Sequence, residues 1–315
     1  DKEVEAVRRL ISLLLLLATA CSSASSPGPS PSIAPEPTYT GLHVETIGNY
    51  QAAFDLSFEG SYNWRYHLET RTDGQAVEYR LHLEGLSSAR NPGDVRMVMQ
   101  EGISRMRGAG TEDECVQFPS DLDLGQIFIT PDNLIEPGGL TGPLKPLQQD
   151  TVALVQTTHY TLLQANLDPW RDLTVDIWRH EATGAALRYD LRAEGPDPLF
   201  DAGEGVLVGQ FLVNDVGPQT IEPIAGCDID LPLPRDAARL TKLPGLIALD
   251  SAATVGETAA FYQAELPGRG WEPVAEPQAS GDAILLSYRQ GAQTLDVNIE
   301  ASAEGVHVAL LLGGE

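Results

Sequence analysis

Asn63 to Glu84 reads NWRYHLETRTDGQAVEYRLHLE. Trp64, Tyr66 and Leu68 alternate with Arg65, His67 and Glu69; after Thr72-Asp73-Gly74, Val77, Tyr79, Leu81 and Leu83 alternate with Glu78, Arg80, His82 and Glu84. Period-two alternation puts apolar side chains on one face of a strand and polar ones on the other. Two such runs flanking an Asp-Gly turn make a β-hairpin. The pattern continues outward through Phe54, Leu56 and Phe58 on one side and Val95, Met97 and Met99, then Ile103 and Met106, on the other. No helix pattern long enough for a parallel crossover separates these runs, so successive strands pair antiparallel.

Residues 121–149 carry Pro131, Pro137, Pro143 and Pro146 with Gly138-Gly139, which allows only short helices, at Pro131 to Ile135 and Leu144 to Gln149. Alternation resumes at Val152 to Leu163, Leu173 to Ile177, Leu187 to Leu191 and Val206 to Val213, with a hairpin at Glu181 to Gly184. One antiparallel sheet of about nine or ten strands is therefore expected over residues 41–228, and open sheets that wide curl. Residues 229–245, with Pro232, Pro234 and Pro244, read as a linker or short helix leading to a second unit. In residues 246–315, Leu246 to Leu249 is a strand, Thr254-Val-Gly-Glu257 is a capping box opening a helix to about Leu266, and Ile284 to Tyr288, Leu295 to Ile299 and Val306 to Leu312 are strands. This is a small β-α-β-β-β unit, with Phe261, Tyr262 and Trp271 packing helix on sheet. The fold class is α+β, mainly antiparallel β.

Acids outnumber bases 45 to 20, a formal net charge of -25, so the surface repels polyphosphate and nucleic acid is excluded as a partner. With 42% hydrophobic residues the chain can still bury a sizeable core. Residues 1–20 have the form of an export signal: Arg8 and Arg9, an apolar run from Leu10 to Leu17, and small residues Ala18-Thr19-Ala20 directly before Cys21. A membrane span needs about 20 apolar residues, and this run is roughly half that. Small residues before a cysteine look like a bacterial lipobox, so Cys21 is the expected lipid attachment site; the rival reading is an ordinary signal with a chance cysteine. Residues 21–40 form a tether, with Ser22 to Pro37 rich in serine and proline and lacking an apolar pattern. In extended form it would reach on the order of 50 Å. If Cys21 carries lipid, Cys115 and Cys227 remain as an even pair, expected to be a disulfide in an oxidising compartment. Two buried free thiols or a metal pair are the alternatives; no second Cys or His lies near either.

The signal, the tether and the antiparallel sheet together resemble bacterial lipoproteins of the LolA-like superfamily, of the LppX and LprG lipid-carrier type. The local likeness lies in Asn49-Tyr50, His159-Tyr160, Val175-Asp-Ile-Trp178, the Glu181 to Gly184 hairpin, Leu187-Arg-Tyr189 and Val213-Asn-Asp-Val-Gly217. It covers about residues 41–228. The resemblance implies a curved half-barrel sheet under short helices, enclosing an apolar cavity for acyl chains. This chain departs from it in having no long helix pattern before the first strand.

No Gly-x-Ser-x-Gly elbow, P-loop or dinucleotide fingerprint occurs, and His180-Glu181 has no second histidine of a zincin. Asp121-Leu-Asp123-Leu-Gly125 lacks the remaining ligands of a calcium loop. Six scattered histidines form no sequence cluster, and His67 and His82 sit on polar strand faces where solvation is the plain expectation. No catalysis, cofactor or metal is expected. The candidate ligand-lining surface is the apolar parity of consecutive strands: Phe54, Phe58, Trp64, Tyr66, Tyr79, Leu81, Met97 and Met99. Methionine suits a lining for variable acyl chains, and the competing reading is a dry core. The expected function is a lipid-anchored extracytoplasmic protein holding a lipid or other apolar ligand. The alternative is an envelope scaffold that docks a protein partner, with the C-terminal unit as the docking part.

Overall fold

The computed structural model describes residues 37–85, 93–108, 111–121, 128–132, 134, 142–163 and 169–314. The export signal, Cys21 and the tether up to residue 36 lie outside the described residues.

The strands are β1 (Thr38–Tyr39), β2 (Asn49–Glu59), β3 (Asn63–Asp73), β4 (Ala76–Glu84), β5 (Val95–Gln100), β6 (Ile103–Gly108) and β7 (Thr111–Pro119). After these come β8 (Gly142–Val152), β9 (Val155–Leu162), β10 (Arg171–Arg179), β11 (Ala186–Pro196) and β12 (Glu204–Val216). The C-terminal part holds β13 (Ala238–Leu243), β14 (Leu246–Ser251), helix α1 (Val255–Glu265), β15 (Glu272–Pro273), β16 (Gln278–Ser280), β17 (Ala283–Gln290), β18 (Gln293–Ser302) and β19 (Gly305–Gly314). Every pairing is antiparallel. From one edge the order is β1, β8, β9, β10, β11, β12, β2, β3, β4, β5, β6, β7. The sheet is curved and open: β7 does not return to β8 but meets β13 at Gln117 and Lys242. From β13 the pairing continues through β14, β19, β18 and β17 to the short strands β15 and β16.

The hairpin read first in the sequence is β3–β4. Asp73 Oδ1 accepts from the backbone N–H of Gln75 at 2.9 Å and of Ala76 at 2.7 Å, while Gly74 takes φ +84°. A side chain that bonds its own backbone beside a glycine free to adopt positive φ closes the turn.

Three expectations are corrected. Leu144 to Gln149, expected as a short helix, belongs to β8. Its prolines are tolerated because β8 is an edge strand, covered by β1 only at Gly142 and Pro143, with a register shift between Pro146 and Gln148. Covering α-helices are absent from the described residues between 41 and 228; a 3-10 turn at Val44–Ile47 and a single helical turn, Leu134 N–H to the Thr130 carbonyl at 3.0 Å, stand there instead. Of the short helix expected at Pro131 to Ile135, Asn133 and Ile135 lie outside the described residues. The stretch 229–245 is more than a linker, since β13 within it pairs with β14.

Two hydrophobic clusters stabilise the molecule, one under β2–β12 and one between α1 and β14, β17, β18 and β19. Helix α1 starts at a reciprocal cap: Glu257 N–H donates to Thr254 Oγ1 at 3.3 Å and Thr254 N–H to Glu257 Oε2 at 2.9 Å. Losing such a cap costs about 1 kcal/mol. Tyr262, Leu266 and Trp271 then bury against the sheet, with Phe261 half-buried beside them. Cys115 of β7 and Cys227 form a disulfide, Cα atoms 5.0 Å apart, around which Val98 and Ile224 make a third small cluster.

Candidate functional site

The alternation that builds β2–β6 gives the sheet two unlike faces. On the apolar face Phe54, Phe58, Trp64, Tyr66, Leu81 and Met97 are buried, and Tyr79 and Met99 are half-buried against the same cluster. All eight proposed lining residues are thus brought together, and segments of the chain itself cover them. Phe58 stacks on Trp64 at 5.9 Å between ring centres, and Phe200 meets Trp64 edge-on at 5.2 Å. Trp64 Nε1 donates to Asp197 Oδ2 at 3.0 Å, which fixes the loop after β11 over the ring. Phe128 stacks on Tyr79 at 4.9 Å, and the Ile129 N–H donates to the Tyr66 hydroxyl at 2.8 Å. Burial pushes the Tyr66 phenol well above its usual range, against the Ile129 hydrogen bond, which lowers it, so the hydroxyl stays neutral. Among the described residues, coil at Phe128, Ile129 and Phe200 does the covering expected of helices. These aromatic pairs contribute about 0.5–1.5 kcal/mol each beyond their buried area.

A groove of about 910 Å³ opens on the opposite, polar face. Its floor is a row of three arginines. Arg80 of β4 stands directly opposite Arg96 of β5, which stands opposite Arg107 of β6. Arg71 and Arg105 flank the row on β3 and β6. Beneath it lies Glu78, whose side chain is 2% exposed; its Oε1 accepts from Arg96 Nε at 2.6 Å and Arg80 Nη2 at 3.1 Å, and Oε2 lies 3.7 Å from Arg71 Nη1. Burial alone would raise the Glu78 carboxyl, but the hydrogen bonds and charges of Arg96 and Arg80 outweigh it and hold the group below its usual range.

One wall is the segment Glu222 to Ala225. Arg96 Nη2 donates to the Glu222 carbonyl at 2.5 Å and Arg107 Nη2 to the Ala225 carbonyl at 2.6 Å, while the disulfide at Cys227 fixes the segment's end. The other end carries His67 and His82, directly opposed on β3 and β4. His67 Nδ1 lies 2.6 Å from Asp55 Oδ1, and His82 Nδ1 lies 2.5 Å from Asp94 Oδ1 with its Nε2 3.3 Å from Glu84 Oε1. Hydrogen bonds to Asp94 and then Glu84 raise the His82 pKa. These histidines, expected to be merely solvated, are thus each tied to carboxylates at the groove's rim. No group of three or more metal-ligating side chains is assembled among the described residues. Asp121 of the rejected calcium motif pairs with Arg239 at 2.5 Å; Asp123 lies outside the described residues.

Sequence reasoning placed Arg80 on a polar strand face but did not bring Arg96 and Arg107 beside it. The signal was the polar parity of three consecutive strands, which becomes a row only once the register is known.

No family model and no curated protein matches the chain. Among solved structures, a crystal structure of MucB in complex with MucA(peri) matches at 13% identity over 87% of this chain and 91% of that one, with a TM-score of 0.22. At that score the two chains do not superpose as whole bodies, and the likeness decides neither fold nor ligand. No helix among the described residues is long and apolar enough to cross a membrane.

Proposed function

We propose that this chain is a non-catalytic, extracytoplasmic cell-envelope protein, held to a membrane by lipid on Cys21, that docks a partner protein on the polar face of its sheet. One observation supports this over the lipid-holding reading. The apolar face is filled by the chain's own Phe128, Ile129 and Phe200, whereas a groove of about 910 Å³ opens on the arginine-bearing face. An acyl chain against Phe58, Trp64 and Met97 would have to displace that packing. The disulfide suits an oxidising compartment. The C-terminal unit continues the sheet past β7, and Lys242 of β13 extends the polar row of Arg105 and Gln117, so it takes part in the same docking surface.

The test is organic extraction of protein purified from the envelope, followed by lipid mass spectrometry. The expected result is no lipid beyond the covalent anchor; a stoichiometric extractable lipid overturns the reading in favour of a carrier. Cys21→Ala is expected to release the protein from membranes, and unchanged membrane association defeats the anchor.

A further inference from the structure

We propose that the arginine row receives an acidic, extended peptide segment of the partner, its carboxylates replacing solvent on Arg80 and Arg107. This rests on the docking reading above and names the chemistry of the docked element.

Like charges directly opposite across strands are destabilising, and here three arginines in succession are so placed. In a chain where bases are outnumbered 45 to 20, that arrangement runs against the whole composition. Only two carboxylates stand within ion-pair distance of Arg71, Arg80, Arg96, Arg105 and Arg107 among the described residues: the buried Glu78 and the half-buried Glu69, 3.8 Å from Arg71. Arg105 has Gln117 as its partner at 3.2 Å, and Arg107 has a backbone carbonyl. The Arg107 Nε is buried with no hydrogen-bond partner. A buried donor left unpaired is destabilising, and departures from local rules of this kind concentrate at functional sites.

The groove already shows what fits. The Glu222 to Ala225 segment crosses β5 and β6 with its carbonyls taken by Arg96 and Arg107, and Arg80, next in the row, holds no carbonyl of that segment. Strands lie about 4.8 Å apart, so Arg80 and Arg107 are separated by roughly 10 Å. That span exceeds a single phosphate, whereas carboxylates on alternate residues of an extended peptide are about 6.8 Å apart and can engage both ends. Glu69, Asp94 and Glu222 line the groove beside the three arginines, so such a peptide is held by direct ion pairs on Arg80 and Arg107 and not by a net positive field, and the Glu222 carboxylate opposes it.

The experiment is fluorescence anisotropy of the full chain with a labelled Ser-Glu repeat peptide and its Ser-Gln counterpart. The Ser-Glu peptide is expected to bind about tenfold tighter or more, with Arg80→Gln and Arg107→Gln each removing about tenfold. Arg107→Lys keeps the charge but loses the fork, and is expected to weaken binding too. Glu222→Gln removes an anion from the groove wall and is expected to tighten binding about threefold, an outcome that misfolding cannot mimic. Arg171→Gln, remote and 70% exposed, leaves binding unchanged. Equal binding of both peptides, equal loss in the Arg171 variant, or no tightening in the Glu222 variant overturns the proposal. Inorganic pyrophosphate that competes as well as the peptide overturns it in favour of a phosphate site. If the acidic peptide fails while a partner protein still cross-links at the groove, only the acidic chemistry falls; if nothing cross-links there, the docking reading falls.

Discussion

Replacing Glu78 by Gln removes the only buried counter-charge beneath the arginine row among the described residues. Its carboxylate accepts two close hydrogen bonds, 2.6 Å from Arg96 and 3.1 Å from Arg80. Charge-assisted bonds of this kind are worth about 1.5–3 kcal/mol each, and glutamine's carbonyl recovers one neutral bond of about 1 kcal/mol. Arg80 is 47% exposed, so screening cuts its share, and Arg96 at 30% is the main partner. The expected loss is about 2–4 kcal/mol, a fall in Tm of roughly 4–16 °C for a body of this size. Urea unfolding followed by circular dichroism measures it, with the m-value unchanged. The sign of the pH dependence follows from the lowered carboxyl. Its stabilisation is complete above the ordinary value of 4.5 and is lost as pH falls through the folded value, so wild type and variant should converge in acid. Added salt should rescue part of the variant's loss, because it screens the exposed arginines from one another. A loss below about 0.5 kcal/mol, or an equal loss in Glu69→Gln, whose carboxylate is 34% exposed, refutes the reasoning.

Other outcomes follow from the same packing. Met97 is 0% exposed, so Met97→Ala should cost about 2–5 kcal/mol in chemical denaturation, whereas a residue lining an open ligand cavity would lose under about 1. The Cys115–Cys227 bridge spans 112 residues, and its removal by Cys227→Ser is expected to cost about 4–5 kcal/mol in the loop-entropy account; a cost under about 1 would show that the bridge constrains little. The His82 imidazole should titrate above 6.5 in proton NMR and fall back in Asp94→Asn. Because that folded value is raised, its contribution is present below 6.5 and disappears as pH rises through the folded value; an unshifted titration in both proteins contradicts the contact.

Much of the fold was legible because its strands have one dry face and one wet face. Trp64 to Leu68 and Val77 to Leu83 announce their parity, and Asp73-Gly74 their turn, all within a few residues. Strands whose composition masks parity were missed. β7 begins Thr-Glu-Asp-Glu before Cys115, so its acidic half reads as loop. β8 carries two prolines and gave the pattern of a broken helix, which only its place at the sheet edge explains. β13 lies among the prolines of the supposed linker and is recruited by β14 and β7. The disulfide pair was accessible from cysteine parity. The candidate site was not, because Arg80, Arg96, Arg107 and the Glu222 carbonyl meet only through register and a crossing segment. The apolar face was identified correctly as a set of neighbours. Whether it is open or filled depended on Phe128, Ile129 and Phe200, which come from segments with no periodicity of their own.

Site-specific photo-cross-linking in the intact envelope tests most directly which face of the sheet does the work. A photoreactive residue placed at position 94 or 222, on the rim of the groove, is predicted to give one discrete protein adduct that Arg80→Gln abolishes, while the same residue at position 171 gives none. Adducts that are equal at all three positions, or that survive loss of Arg80, would contradict the account.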